Sequence, residues 1–235
     1  MLLHRITHSV AEAPSAYLSQ FGQDQFLDQQ LFCGAENLFF VEIGSADPVQ
    51  INNTFFLESQ RGWRGLLIEA RPSACELLRS QRSSEVINAC VADQAGRSIF
   101  LDYGYLAGLC KFMGPSEHAY IEQYNAHETD VRAHWVDTVP LADLLRLRAI
   151  ETVHLLAVDV EGAELAILSS LDFAAVRVEV ILVECNTAAV ANDVHHFLLE
   201  RGYRFLRRIG VDRLFVHPQS PWLPDGEKEW ASEGT

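Results

Sequence analysis

The sequence predicts an α/β protein built on an open, doubly wound, Rossmann-like sheet of seven mostly parallel strands. Three observations predict it. Short β-branched apolar runs alternate with stretches of helical spacing. The runs are nearly continuous in apolar residues, as strands covered on both faces must be. An acid stands at the C-terminal end of each of the first two runs, with a glycine just beyond the first, and ligands of open α/β sheets bind at that end.

The strands are read at NLFFVEI (37–43), GLLIEA (65–70), EVINACVA (85–92), HLLAVDV (154–160) and VEVILVE (178–184). Two more, at 203–208 and 212–217, are close enough to form a hairpin and add an antiparallel edge. Helices are read at 19–32, in ACELLRSQR behind Pro72, at 141–148, in GAELAILSSL, and in VANDVHHFLLERG, which stops at Gly202. A first-turn proline and a terminal glycine are the boundaries expected of such helices. Residues 1–217 are read as one domain with an N-terminal helical region at 1–36. Residues 102–137 form an insertion with three histidines and little periodicity, which predicts a lid over a binding site. The acidic segment 218–235 is expected to be a flexible tail.

Composition limits what such a domain can do. Of 235 residues, 49% are hydrophobic and 21% charged, which excludes an intrinsically disordered chain. No apolar run approaches the roughly 20 residues of a membrane span, and no signal peptide is read at the start, so a cytoplasmic protein is expected. The formal net charge of −14 repels nucleic acid. The basic groups Arg146/Arg148 and Arg201/Arg204/Arg207/Arg208 read as solvated faces. Cys33, Cys75, Cys90, Cys110 and Cys185 are odd in number and form no C-x-x-C pair. They are expected to be small buried residues in a reducing compartment.

The ligand class follows from the strand tips. Gly44 admits close approach of a ligand, and Glu42, two residues earlier, can receive a cation or a hydroxyl. Glu69, 27 residues on, ends the second strand where a carboxylate grips a ribose diol. A G-x-G-x-x-G pyrophosphate loop is missing, so a nicotinamide oxidoreductase is the weaker alternative. A phosphate-free nucleoside carrying an amine and a sulfonium fits better, and S-adenosyl-L-methionine is that ligand.

The chain resembles the FkbM-type family of S-adenosylmethionine-dependent, class I methyltransferases. The resemblance rests on SQFGQDQFL (19–27), FFVEIGSADPVQINNTFFLE (39–58), GWRGLLIEARP (62–72), VINACVAD (86–93), VDTVPLADLL (136–145), LLAVDVEGAELAIL (155–168) and VILVECN (180–186). It implies that Glu42, Gly44, Ser45 and Ala46 line the methionine end of the cofactor, with Asp159 closing that side. Glu69 would hold the ribose beside Ala70, and Cys90, Val91 and Asp93 would flank the adenine. Gln23, Asp24, Asn53 and Thr54 would complete the pocket, although Asn53 equally suits a cap on the helix TFFLESQR. Two positions depart from the family pattern. Glu42 stands where aspartate is usual, and Pro48 replaces a glycine usual in the loop. Proline cannot adopt positive φ, so the loop must turn elsewhere.

The resemblance implies methylation, most simply of a hydroxyl on a small molecule, sugar or glycan; nitrogen and carbon acceptors, a homodimer and a catalytically idle binding domain stay open. An alcohol needs a base or a metal to become a nucleophile. Asp159, Glu161 and Glu164 follow the fourth strand, and Glu184 and Asn186 end the fifth. Asp159, Glu161 and Glu184 are the catalytic candidates. Asp159, Glu184 and Asn186 resemble the Mg²⁺ site of catechol-type methyltransferases, while Glu164 equally suits a helix first turn. The insertion's His118, His127 and His134 are alternative bases, and His195 and His196 read as structural.

Overall fold

A computed structural model describes residues 17–104, 106–114 and 132–223. In chain order, α1 (Gln23–Phe26) runs into a π-helical turn at Leu27–Leu31, followed by β1 (Phe39–Ile43), α2 (Phe55–Arg61), β2 (Arg64–Glu69), α3 (Pro72–Gln81) and β3 (Glu85–Asn88). Then come β4 (Cys90–Val91), β5 (Gly96–Asp102), β6 (Gly108–Leu109), β7 (Arg132–Val139), α4 (Leu141–Leu147) and β8 (Thr152–Val158). The described chain closes with α5 (Glu164–Ser169), β9 (Arg177–Glu184), α6 (Ala188–Glu200), β10 (Arg204–Ile209) and β11 (Asp212–Val216).

The main sheet has seven strands in the order β3-β2-β1-β8-β9-β11-β10. The first five run parallel, and β11 joins β9 antiparallel with β10 outside it. Side chains alternate between two apolar layers, as the pleat requires. Phe40, Leu67, Leu155 and Leu182 pack with Phe26, Leu57 and Leu78 of α1, α2 and α3. Their neighbours Val41, Ile68, Leu156 and Ile181 pack with Leu144, Ile167 and Val194 of α4, α5 and α6. Burying both faces explains why these strands read as unbroken apolar runs.

The order of strands brings the C-terminal tips of β1, β2, β8 and β9 together. Gly44 sits where two of these tips touch, with φ +85° and an added Cβ only 1.6 Å from the Asp159 carbonyl oxygen. Only glycine permits that approach.

A second sheet, in the order β4-β7-β5-β6, is absent from the expectation. The run 85–92 is two strands: β3 completes the main sheet, and after Ala89 β4 pairs with β7 in the smaller one. Residues 132–137, expected in an irregular insertion, belong to β7, paired antiparallel with β5. Gly108 on β6 lies against the backbone oxygens of Val160 and Glu161, closing the small sheet onto the β8 tip. His134 is therefore an exposed strand residue beside the Phe100 ring (5.6 Å), while His118 and His127 lie outside the described residues.

Further differences are local. Residues 218–223, expected in a flexible tail, are held by the Trp222 ring, 5.2 Å from Phe32, and by Leu223 on the same apolar layer. All five cysteines are free, but Cys33 and Cys110 are exposed. Among the described residues, no helix is long and apolar enough to cross a membrane.

Candidate active site

A cavity of about 340 Å³ opens at the strand tips, walled on one side by Phe100, Leu109 and the neighbouring residues of the small sheet. Glu42, at the end of β1, and Glu69, at the end of β2, both face it. So do Gly44, Ser45, Ala46, Asn53, Ala70, Cys90, Val91, Asp159, Glu161 and Glu184.

Glu42 is buried. Its Oε2 accepts from Thr54 Oγ1 at 2.8 Å and Asn52 Nδ2 at 3.2 Å, with Arg82 Nη1 4.0 Å away. Burial pushes its carboxyl up, and Arg82 and the hydrogen bonds oppose that rise. Thr54 thus lies behind the wall, supporting Glu42. Asn52, not Asn53, holds the approach to α2, whose N-cap is Thr54: its Oδ1 accepts from the Thr54 and Phe55 amides at 3.0 and 2.9 Å. Asn53 is left facing the cavity with a buried Oδ1 that has no partner. The turn that Pro48 cannot make falls at Ile51, which has φ +50° and lies at the exposed rim.

Glu69 Oε1 accepts from the Arg71 backbone amide (2.8 Å) and Nε (3.1 Å), and Arg71 Nη1 donates to Gly104 O. Cys90 and Val91 form a buried apolar flank, and burial pushes the Cys90 thiol up to about 12. Asp93 lies off the wall, ion-paired with Lys111 at 2.7 Å, which holds its carboxyl below the usual range.

The N-terminal helix contributes differently from expectation. Gln23 does not line the cavity: its Nε2 donates to Asp212 and its Oε1 accepts from the Phe21 amide. Asp24 accepts from the amides of Leu18 and Ser19, stapling the helix start. Among the described residues of this region, Gln20 reaches the wall.

At the far end, carboxylate oxygens of Asp159, Glu161 and Glu184 lie within 4.8 Å of one another. Glu161 reaches this cluster from a left-handed backbone at φ +56°. Such strain in a non-glycine residue costs about 1–3 kcal/mol and collects at functional sites. Asn186 Nδ2 donates to Glu184 at 2.8 Å and to Glu161 at 3.2 Å. Asp159 is wetted by the cavity yet enclosed by protein on its other sides, and that enclosure is the main reason its carboxyl is pushed up to about 7. Glu184 is pushed well up by burial and then by the charges of Asp159 and Glu161, and the two carboxyls, Asp159 and Glu184, are hydrogen-bonded to each other and titrate as a pair. Glu164 is buried and accepts from the Gly162 amide at 2.9 Å, at the start of α5. His195 packs against Phe205 and Phe215, and His196 Nδ1 pairs with Asn192 O, both away from the cavity.

Three comparisons bear on what this site belongs to. No curated protein matches the sequence. A solved structure, the methyltransferase FkbM from Methylobacillus flagellatus KT, is similar at 12% identity and a TM-score of 0.49. The match covers 78% of this chain and 44% of that one, so the chain spans less than half the length of this relative. The Methyltransferase FkbM domain matches residues 33–205, which contain both carboxylate-bearing strand tips and the acidic cluster. The nicotinamide alternative gains no support from any of these matches. By that domain match, which takes in most of its length, the chain belongs to the FkbM methyltransferase family.

Proposed function

We propose that the protein is an S-adenosyl-L-methionine-dependent O-methyltransferase acting on a hydroxyl of a small molecule, sugar or glycan, on a doubly wound class I fold. The observation that carries this is that Glu42 and Glu69, 27 residues apart in sequence, line one cavity with Gly44 beside them. The fit to the cofactor rests on the donor set. Glu42 and the unpartnered Asn53 Oδ1 offer acceptors for an ammonium group. Glu69 offers a carboxylate to a ribose diol, and Cys90 and Val91 an apolar flank to adenine. Asn53 would bind cofactor directly, Thr54 through Glu42, and Gln23 and Asp93 only by holding the wall in place.

Bound S-adenosylmethionine supplies the electrophilic methyl group. The chain's task is to orient an acceptor hydroxyl and take its proton. Asp159, wetted by the cavity and hydrogen-bonded to Glu184, is the base in this reading. Glu161 and Asn186 hold the pair in place. A base works only in its unprotonated form, so turnover rises as pH passes about 7. Asn186 does not fit the part of a Mg²⁺ ligand here: it turns its donor nitrogen, not an oxygen, toward Glu161 and Glu184. No step is routed through a metal.

Isothermal titration with S-adenosylhomocysteine tests the reading, with micromolar binding expected. Absence of binding in that range overturns it. Transfer of labelled methyl groups across a panel of hydroxyl, amine and carbon acceptors then tests the acceptor class and distinguishes an enzyme from an idle binding domain.

A further inference from the structure

We infer that Arg82, a residue outside the cavity, is the positioning residue for the amino-acid end of the cofactor: it fixes the loop 47–54 and charges the back of Glu42. The inference rests on the cofactor reading above and deepens it. Arg82 follows α3 directly, and its side chain is wholly buried, with 0% exposure. Its Nη1 donates to Pro48 O at 3.1 Å and Asn52 Oδ1 at 3.2 Å. Its Nη2 donates to Thr54 Oγ1 and Glu58 Oε2, both at 2.9 Å, and its Nε to Glu58 Oε2 at 3.1 Å. A guanidinium has five N–H donors, and these five bonds use them all.

The geometry addresses the two places where the loop departs from the family pattern. The carbonyl of Pro48 is held from behind by Arg82, so the loop's shape comes from a tertiary clamp and not from a flexible glycine. The carboxylate of Glu42 is reached by Arg82 directly at 4.0 Å and through Asn52 and Thr54, which both donate to its Oε2. Asn52 Nδ2 also donates to Asp47 O, which ties the front of the loop to the same network. Glu58 anchors the guanidinium and is itself bound by Ser83 and Ser84. The charged groups facing Glu42 are therefore Arg82 behind it and Asp159 across the cavity, and the Asn53 backbone amide adds a further donor. Of the two charges, only Arg82 is positive. Without it, only the hydrogen bonds from Thr54, Asn52 and the Asn53 amide oppose the burial of Glu42, and a neutral Glu42 loses its attraction for an ammonium group.

The test is S-adenosylhomocysteine titration of the full chain between about pH 5 and pH 8, a window that starts just above the ordinary glutamate value of about 4.3. Affinity of the natural protein should fall as pH drops and Glu42 takes a proton. Arg82→Gln should bind at least about tenfold more weakly near neutrality, the scale of one lost charge-assisted contact. Its loss should also set in at higher pH. Arg82→Lys keeps the charge with three donors, so it should retain the natural pH profile at reduced affinity. If Arg82→Gln does not fold, Arg82→Lys and Glu42→Gln carry the test, the latter binding weakly with a flattened pH profile. Glu58→Gln loosens the clamp without touching Glu42 and should leave the profile in place.

A natural protein that binds and an Arg82→Gln variant with an unshifted profile overturn the inference while sparing the cofactor reading. The same holds if Arg82→Lys shifts the profile as Arg82→Gln does, or Glu42→Gln keeps the natural one. A natural protein that does not bind overturns both.

Discussion

Replacing Gly44 with alanine adds one methyl group where β1 and β8 come closest. The new Cβ would lie 1.6 Å from the Asp159 carbonyl oxygen, and ordinary contact begins at 3.4 Å, so the two tips must part by about 3.4 − 1.6 = 1.8 Å. One hydrogen bond crosses this point, the Asp159 amide donating to Ile43 O at 3.0 Å. Losing it costs about 1 kcal/mol, and holding alanine at φ +85° costs about 1–2 more. The sum, roughly 2–3 kcal/mol, is a large share of a typical domain's stability. For a chain of this length it lowers the melting temperature by roughly 4–12 °C. The same displacement carries Asp159 away from Glu184 and opens the wall beside Ser45, so S-adenosylhomocysteine binding should fall further than stability does. Thermal melting followed by circular dichroism and titration calorimetry read the two effects. Gly65→Ala is the control: its Cβ meets the Phe40 ring at 2.5 Å away from the cavity, so it should lower the midpoint and leave affinity intact. If Gly44→Ala melts and binds like the natural protein, the close approach of the two tips is not what shapes the site.

Two further outcomes follow from the acidic cluster. Asp159, Glu184, Glu42 and Asp212 all hold their protons more tightly when folded than when unfolded. Between the ordinary carboxyl value of about 4 and the raised value of about 7 the folded state therefore binds more protons, so stability falls as pH rises across that window. Urea midpoints of the ligand-free protein at about pH 5 and pH 8 should show the fall, and Glu184→Gln should reduce it; a midpoint that rises with pH contradicts the assignment. Chelation should leave methyl transfer unchanged, because Asn186 meets the carboxylates as a donor. Activity lost to a chelator and restored by Mg²⁺ would show that the cluster is a cation site after all.

The main sheet was legible because burial on both faces leaves a mark that needs no partner to read: LLIE and VILVE are apolar at every position the sheet covers. The small sheet left no such mark. Along β7, Arg132 to Trp135 are all exposed, so the strand carries neither continuous nor alternating hydrophobicity. Within the site, residues at strand ends were readable from position alone, and Glu42, Glu69, Asp159 and Glu184 all reach the cavity. Residues placed by tertiary contacts were not. Arg82 is one of three arginines in ELLRSQR and its approach, and nothing local separates the buried clamp from its exposed neighbour Arg79. Asn52 and Asn53 are identical in type and adjacent, and the loop conformation alone decides which bonds the start of α2 and which keeps an unpartnered oxygen at the cavity wall. Pro48 did announce an altered loop, but the compensating turn at Ile51 and clamp from Arg82 appear only when residues 34 apart in sequence meet.

The placement of arginines divides the carboxylates of this sheet edge into two kinds. Glu42, Glu69, Asp159, Glu184 and Asp212 project from the same edge, in a chain whose net charge is already −14. Arg82 stands 4.0 Å behind Glu42 and Arg71 3.1 Å from Glu69. No ion pair is formed at Asp159, Glu184 or Asp212 among the described residues, and their neighbours are amides and one another. Burial raises the carboxyls of Glu42, Asp159, Glu184 and Asp212 alike, and of these only Glu42 has a cation to oppose the rise. In the proposed cofactor reading, Arg82 favours the charge with which Glu42 holds an ammonium group, while Asp159 and Glu184, packed against each other, share protons instead. On that reading one row of like side chains separates into a binding end and a proton-handling end, and the arginine behind Glu42 is what divides them.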